Sequence, residues 1–326
     1  MGGCRAHPRP RAGVPRPAGA RQCRRAGHSP YRGQRGPNEA RCDDPPRRVG
    51  RPRGRRAVPC ERRGPRGQRP DSAGHRPGRL TVELKGRAAL VTGAGRRVGQ
   101  AIAIGLAQAG CDVAVHYHGS AAGAAETASR IRAVGRRAEL LAADLENAAA
   151  ARALADRAAR ALGRLDVLIN SAAILVRQPV AEITPESWDR TLNLNLRAMF
   201  FVSQGAIPHL RRAPPPGKIV NLADVAAFEP WPAYLPHCVS KAGVVMLTQG
   251  LARALAPEIA VNAVAPGAVL LPDDWDAATR AHFAETTPLK RLGSAEDVVS
   301  AVRFLLEGTD YVSGSVLVVD GGRLIR

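Results

Sequence analysis

The sequence lacks the features that mark membrane proteins, disulfide-stabilised proteins and zinc proteins. No apolar run reaches the roughly 18 residues that a membrane-spanning helix needs. The six cysteines include no CxxC pair and lie apart from any histidine cluster, so neither a disulfide framework nor a metal site is expected. These absences predict a cytoplasmic protein that holds no metal and makes no membrane contact.

The first 80 residues contain no lysine and a single aromatic residue, Tyr31. They contain 22 arginines and five acids, a net charge of +17, whereas the other 246 residues carry a net charge of +3. Because this composition buries little apolar surface, we expect residues 1–80 to be a disordered leader and residues 81–326 to form the folded domain. The leader lacks the apolar segment of a secretory signal, although organellar transit peptides are also arginine-rich. Nucleic-acid binding is not expected, because no aromatic residues are interleaved with the arginines.

From residue 86 onward, short apolar runs alternate with longer amphipathic segments. The predicted strands are 87–92, 112–117, 138–142, 165–169, 217–222, 259–264 and 315–319. The predicted helices are 97–109, 122–134, 147–162, 187–211, 235–256 and 295–307. Near-continuous apolar strands separated by helices indicate a parallel sheet that is covered on both faces. We therefore predict an α/β, doubly wound Rossmann fold with a seven-stranded parallel sheet, whose ligands bind beyond the carboxyl ends of the strands.

A glycine-rich turn follows the first predicted strand and opens the first predicted helix. Glycines at this place permit a tight turn and let backbone N–H groups approach a pyrophosphate at the helix N-terminus. Glycine also marks ordinary turns, but its position between a strand and a helix favours a dinucleotide site. The candidate cofactor residues of this turn are Gly93, Gly95, Arg96, Arg97, Val98 and Gly99.

The end of the second strand indicates which dinucleotide would bind. Enzymes that prefer NAD usually have an acid there, which holds the ribose 2′-hydroxyl. Here no acid occurs between Asp112 and Glu126, while His118 and Ser120 can donate hydrogen bonds. Together with the two arginines of the turn, they would accept a 2′-phosphate, which favours NADP(H). The alternative interpretation is that these are solvated loop residues.

Further motifs occur after the later strands. They are Ala143-Asp144-Leu145, Asn170-Ser171-Ala172-Ala173, Asn195 within the next helix, Asn262-Ala263-Val264-Ala265-Pro266-Gly267, Tyr311-Val312-Ser313-Gly314 and Asp320-Gly321-Gly322. With the glycine turn, this ordered set resembles the short-chain dehydrogenase/reductase family over residues 84–326. Within that family the chain is most similar to pteridine reductases, because it has Arg97 in the pattern TGxxxRxG, the segment HYHxSA from His116 to Ala121, and Asp224 where most members have serine.

The resemblance implies a small-molecule substrate and a homotetramer whose subunit contacts come from the helices that contain Asn195 and Lys241. It also implies cofactor contacts beyond the glycine turn. With His118 and Ser120, these candidates are Asp144, Leu145, Asn170, Ser171, Ala172, Lys241, Pro266 and Gly267.

One departure from the family pattern affects the candidate catalytic residues, which are Asp224, His237, Lys241 and Asn195. Members act through a YxxxK pair, and here His237 stands four residues before Lys241, with Asp224 in its usual register 13 residues earlier. By resemblance, Lys241 holds the ribose and tunes the acid, Asp224 polarises the substrate or relays protons, and Asn195 anchors a water chain. An imidazole can act as a general acid, but its nitrogen ends about 2 Å short of a phenol oxygen, a misplacement that can be costly. Two hypotheses therefore stay open: NADPH-dependent reduction of a C=O or C=N bond, and an NADP-binding protein with little turnover.

A second departure concerns the substrate. Pteridine reductases have an aromatic residue after the NNAG-like turn that stacks on the pterin, whereas the corresponding stretch here is Ile174-Leu175-Val176. Trp231 is an alternative source of an aromatic ring, although a loop tryptophan is as often simple packing. The segment from Leu270 to Leu289, with Asp273, Asp274, Trp275 and His282, corresponds to the mobile substrate lid of the family.

Overall fold

The structure is a computed structural model that describes residues 82–213, 217–271 and 276–325. The predicted leader, residues 1–80, lies outside the described residues, and so do Asp273, Asp274 and Trp275 of the predicted lid. In the described part of the chain, no helix has the length and apolar character needed to span a membrane. The same residues include no cluster of three or more histidine, cysteine or acidic side chains arranged to hold a metal ion.

Seven parallel strands form one sheet in the order β3-β2-β1-β4-β5-β6-β7. The strands are β1 (Ala88–Val91), β2 (Asp112–Tyr117), β3 (Ala138–Ala142), β4 (Val167–Asn170), β5 (Gly217–Leu222), β6 (Ile259–Pro266) and β7 (Val316–Val319). Every residue of β1, β4 and β5 is buried, as their continuous apolar sequences predict. Strand order reverses between β1 and β4, so a crevice forms beyond their carboxyl ends. The predicted doubly wound fold is confirmed.

Helices cover both faces of the sheet. They are α1 (Arg97–Gln108), α2 (Ala121–Ala133), α3 (Ala148–Leu162), α4 (Pro185–Leu192), α5 (Ala198–Leu210), α6 (Leu235–Leu255), α7 (Ala277–Thr286) and α8 (Ala295–Arg303). Buried residues of α1, α2 and α8 form the core on one face, and those of α3, α5 and α6 form the core on the other. This arrangement leaves the carboxyl edge of the sheet open for a ligand.

The helices differ from the predictions in three places. The single helix predicted over 187–211 is divided into α4 and α5 by a π turn, Asn193–Arg197, which contains Asn195. Helix α7 was not predicted, because none of its residues is buried and the segment therefore has no apolar stripe to reveal it. The last predicted helix, 295–307, ends as α8 at Arg303 and continues as a second π turn, Phe304–Gly308.

Candidate active site

The glycine turn packs tightly against two neighbouring loops at the carboxyl edge of the sheet. Gly93 has a left-handed φ of +66°, and a Cβ atom there would lie 2.8 Å from Cα of Ala172. A Cβ atom on Gly95 would overlap the hydroxyl of Ser120. Only glycine permits both the backbone angle and the close approaches. The turn is thus brought together with the loops after β2 and β4, as the cofactor prediction requires.

The first two N–H groups of the turn are used within the protein. The Gly93 N–H donates to Nδ1 of His116 at 3.1 Å, and the Ala94 N–H donates to the His116 carbonyl at 2.9 Å. The donors left for a pyrophosphate are the N–H groups from Gly95 to Gly99, those of Arg97 to Gly99 having no intrahelical acceptors in the first turn of α1.

Charged and polar side chains surround this N-terminus. Arg97 has a left-handed φ of +53° although it is not glycine, and its guanidinium donates to the carbonyl of Leu270 in the segment after β6. His118 Nδ1 lies 3.6 Å from Oδ1 of Asp144, and both side chains are more than half exposed. Asp144, two residues after the end of β3, thus lies beside the segment that follows β2. Arg96 is exposed beside them.

Two predicted cofactor residues direct their side chains into the core. Asn170 is buried and donates to the Ser203 hydroxyl at 3.0 Å and to Oδ1 of Asn221 at 2.9 Å. Leu145 is 3% exposed and packs among the buried residues under α3 and α5. Only the backbone groups of Asn170 and Leu145 are therefore available to contact a nucleotide.

Thr92, at the end of β1, holds two of these loops together. Its hydroxyl accepts the N–H of Ser171 at 2.9 Å and that of Ala172 at 3.1 Å, so the loop after β4 is fixed against the glycine turn. On the other side of the crevice, Gly267 follows Pro266 at the end of β6 and donates its N–H to Val319 at 2.9 Å. The predicted candidates of the loops after β4 and β6 thus lie on anchored backbone.

Helix α6 carries the two residues of the altered YxxxK pattern. His237 and Lys241 are both buried and lie one helical turn apart on the same face. Lys241 Nζ donates to the carbonyl of Leu222, the last residue of β5, at 2.7 Å. Burial lowers the pKa of Lys241 to about 8, against the opposing influence of the Asp224 carboxylate. At neutral pH the ammonium is therefore still mostly protonated, because its pKa lies only slightly above that pH.

The imidazole of His237 is held by the backbone of the loop after β4. Its Nδ1 atom lies 3.1 Å from the carbonyl oxygen of Ile174, which can only accept, so Nδ1 carries a hydrogen. Its Nε2 atom is buried, has no hydrogen-bond partner among the described residues, and lies 3.7 Å from Oδ2 of Asp224. In the neutral ring with its hydrogen on Nδ1, Nε2 can only accept a hydrogen bond, and the Asp224 carboxylate that it faces can also only accept. Only the imidazolium can donate toward Asp224 or toward a substrate.

Asn195 fixes this arrangement from the π turn. It is fully buried, accepts the Ile174 N–H at 2.8 Å and donates to the Ile174 carbonyl at 3.0 Å. Its second amide hydrogen reaches the Ser240 hydroxyl at 3.1 Å, which in turn donates to the His237 carbonyl. Both hydrogens are then used, which agrees with a hydrogen on His237 Nδ1, 3.4 Å from the Asn195 amide nitrogen. Asn195 thus positions the histidine by clamping Ile174.

Apolar and aromatic residues form the rim of the site. The Trp231 ring is nearly parallel to the His237 ring, with 6.4 Å between centroids and 10° between planes. Leu175 and Phe228 are each about half exposed, and the Gln178 N–H donates to the Ala233 carbonyl at 2.7 Å, which joins the two loops that carry them. The mouth beside the histidine is therefore largely apolar.

Comparisons with known proteins agree with this architecture. A family model described as enoyl-(acyl carrier protein) reductase matches residues 93–323. The 2-dehydro-3-deoxy-D-gluconate 5-dehydrogenase of Escherichia coli K12 is 35% identical over 249 residues, covering 74% of this chain and 97% of that protein. The 3beta-hydroxysteroid dehydrogenase 1 of Eggerthella lenta is 36% identical over 246 residues, covering 74% and 94%. A solved structure described as a short-chain alcohol dehydrogenase from Sinorhizobium meliloti 1021 is 35% identical, with a TM-score of 0.71 and coverage of 74% and 98%.

The chain belongs to the short-chain dehydrogenase/reductase family, and the family-level prediction is confirmed. That family consists of oxidoreductases that use NAD or NADP and act on small molecules. The glycine turn lies at the crevice beyond β1 and β4, where doubly wound folds bind their ligands.

Several residues of this site were not predicted as functional. The Ile174 carbonyl cannot be found by residue type, because any amino acid supplies one. The hydroxyl of Ser240 and the imidazole of His116 carry a weak signal, since each is a polar residue within an otherwise apolar buried segment. Such buried polar residues must find partners, and here the partners are parts of the site.

Proposed function

We propose that the protein is an NADP(H)-dependent oxidoreductase that reduces the C=O bond of a small molecule, with residues 81–326 as its catalytic domain. The observation that carries this proposal is the convergence of His237, Lys241 and Asp224 just beyond the carboxyl end of β5. The names of the relatives support carbonyl and alcohol chemistry, since one is a hydroxysteroid dehydrogenase and another an alcohol dehydrogenase. A C=N substrate would need the same proton donor.

The nicotinamide, when bound, supplies a hydride to the carbonyl carbon. The oxygen then needs a proton, and Nε2 of the His237 imidazolium is the group placed to give it, because Nδ1 is committed to Ile174. The Asp224 carboxylate, 3.7 Å away, stabilises that cation. Lys241, whose ammonium is anchored to the end of β5, would hold the ribose hydroxyls of the bound nucleotide.

The preference for NADP over NAD rests on the positive side chains near α1. Arg96 and His118 supply positive charge or hydrogen bonds, and Ser120 lies against the glycine turn. Asp144 is close to His118, where it can bind the adenine or neutralise the histidine. Titration of the purified chain with NADPH and NADH tests this, and we expect NADPH to bind at least tenfold more tightly. Equal affinities, or tighter binding of NADH, would refute the assignment of NADP.

A second candidate function is nucleotide binding with little turnover. It is favoured by the recessed position of His237, which is 4% exposed and shorter than the tyrosine of the family pattern. NADPH oxidation on a panel of ketones, quinones and pterins decides between the two functions. Turnover of ketones supports the carbonyl reductase. Tight NADPH binding with no turnover on any member of the panel supports the binding protein.

The similarity to pteridine reductases stays a prediction. The loop of Ile174 has no aromatic side chain to stack on a pterin. Trp231, whose ring is parallel to that of His237, would take that role. Turnover of pterins above ketones in the panel would support this narrower assignment.

We also propose that the protein is a cytoplasmic homotetramer. An apolar groove of about 440 Å³ lies between the π turn and α6, lined by residues that include Leu196, Phe200 and Leu247. Met246 on α6 is 67% exposed, as expected if another subunit covers it. The described cysteines, Cys111 and Cys238, are free thiols, which suits a reducing compartment. Light scattering of the full chain measures the mass, and a monomer would refute the assembly.

A further inference from the structure

One buried side chain, that of His116, links the glycine turn to the loop that follows β3. His116 lies in β2 and is 2% exposed. Its Nδ1 accepts the Gly93 N–H at 3.1 Å, and its Nε2 lies 3.2 Å from the carbonyl oxygen of Ala143, the residue before Asp144. Its own carbonyl accepts the Ala94 N–H. A single residue thus contacts the glycine turn and the loop that bears the adenine-side acid.

The partners of His116 fix its chemical form. Nδ1 faces an N–H group and must accept, while Nε2 faces a carbonyl and must donate, so the ring is one neutral tautomer. Burial lowers its pKa to about 4, and the positive charges of His118 and Arg157 act in the same direction. The linkage is therefore intact at physiological pH.

We propose that His116 is a positioning residue for the nucleotide, which holds the glycine turn through the Gly93 N–H in the conformation that binds the dinucleotide. This inference rests on the proposed function, in which that turn seats NADP(H). The turn has little freedom to adjust, because Gly93 has a left-handed φ and lies against Ala172. Releasing the Gly93 N–H would leave a buried donor unsatisfied, and that donor could find a new partner only if the turn shifted from its position against Ala172. A less preorganised turn binds its ligand more weakly.

Three substitutions separate the two ends of the link. His116→Asn keeps an acceptor near the position of Nδ1, and so keeps the bond to Gly93. His116→Gln places its amide near the position of Nε2, and so keeps only the contact with Ala143. His116→Leu keeps neither. We expect His116→Leu and His116→Gln to raise the Kd for NADPH by roughly 10- to 100-fold, and His116→Asn to raise it less than about threefold.

A control variant separates positioning from simple loss of stability. Ile259→Val removes one buried methyl group at the start of β6, on the opposite edge of the sheet from the crevice. The measurements are the Kd for NADPH by fluorescence titration and the free energy of unfolding by urea, on the full chain. Rescue of affinity by asparagine, while Ile259→Val leaves affinity unchanged, is the result we expect.

The proposal is overturned if all three variants of His116 bind NADPH as the unaltered chain does. It is equally overturned if asparagine is no better than glutamine or leucine at restoring affinity. If the unaltered protein binds neither NADPH nor NADH, the proposed function itself is refuted, and this inference is refuted with it.

Discussion

Replacing His237 with tyrosine is the most informative single change in this site. His237 sits at the tyrosine position of the family pattern, with Lys241 one turn away and Asp224 at 3.7 Å. A phenol oxygen reaches about 2 Å farther from the helix than the imidazole nitrogen does, and a misplacement of ~1 Å can cost ~100-fold in rate. We therefore expect His237→Tyr to raise kcat/KM for ketone reduction by about 10- to 100-fold.

The same substitution has a cost in stability that is smaller than its effect on rate. It removes the hydrogen bond from His237 Nδ1 to the Ile174 carbonyl, 3.1 Å long and buried. The loss of one such bond destabilises a protein by about 1 kcal/mol. The Ile174 carbonyl still receives a hydrogen from Asn195, so it is not left without a donor. We expect the variant to remain folded at the assay temperature.

The assay is NADPH oxidation followed at 25 °C with one ketone, over a range of ketone concentrations and at saturating NADPH. His237→Phe is the matched control, because it has a ring of similar size and no proton to give. It should bind NADPH normally and lose turnover. The reasoning is refuted if His237→Tyr binds NADPH as tightly as the unaltered protein does but reduces the ketone more slowly. Normal turnover by His237→Phe would also refute it, since no group at this position would then be needed.

Three further predictions concern the ionisable residues His116, Lys241 and Asp224. His116 has a pKa of about 4 in the folded protein and about 6.5 in the unfolded chain. The free energy of unfolding therefore decreases as the pH falls from 6.5 to 4, and the decrease between pH 7 and pH 5 is about 2 kcal/mol. Urea unfolding at both pH values measures this loss, which His116→Asn should lack; an equal loss in that variant would contradict it. Lys241, with a pKa of about 8, should lose its charge and its activity above that pH, and Lys241→Met should be inactive at every pH. A pH–rate profile that stays flat to pH 10 would argue against this role. Asp224→Asn removes the charge that stabilises the His237 cation and should lower kcat at least tenfold, whereas an unchanged kcat would exclude Asp224 from the proton path.

The fold was predictable because its five central strands, β2, β1, β4, β5 and β6, are almost wholly buried and therefore stand out as apolar runs. All seven predicted strands are present, and the glycine turn opens α1 at Arg97 as its pattern indicates. Helix α7 was missed for the opposite reason, since it packs no residue into the core. The π turn at Asn195 was also missed, because the extra residue shifts only the phase between α4 and α5, and each helix keeps its own helical period.

The site was predictable only as far as its chemistry resides in side-chain types. His237, Lys241 and Asp224 could be identified by their match to the family pattern, and the structure brings all three together. What that pattern could not give is the state of the histidine. That state is set by the Ile174 carbonyl, and a backbone group of this kind is available to any sequence.

The position of that carbonyl changes what Asp224 has to do. A tyrosine is neutral before it donates its proton, so an aspartate beside it serves the substrate. A histidine held through Nδ1–H can donate from Nε2 only after it has taken up a second proton, and the ring is nearly sealed from water. Asp224 is the more exposed of the two, with 26% of its side chain accessible against 5% for His237. On the proposed mechanism, the proton that restores the imidazolium after each turnover therefore enters past Asp224, and the aspartate becomes part of the proton path because the tyrosine has been lost.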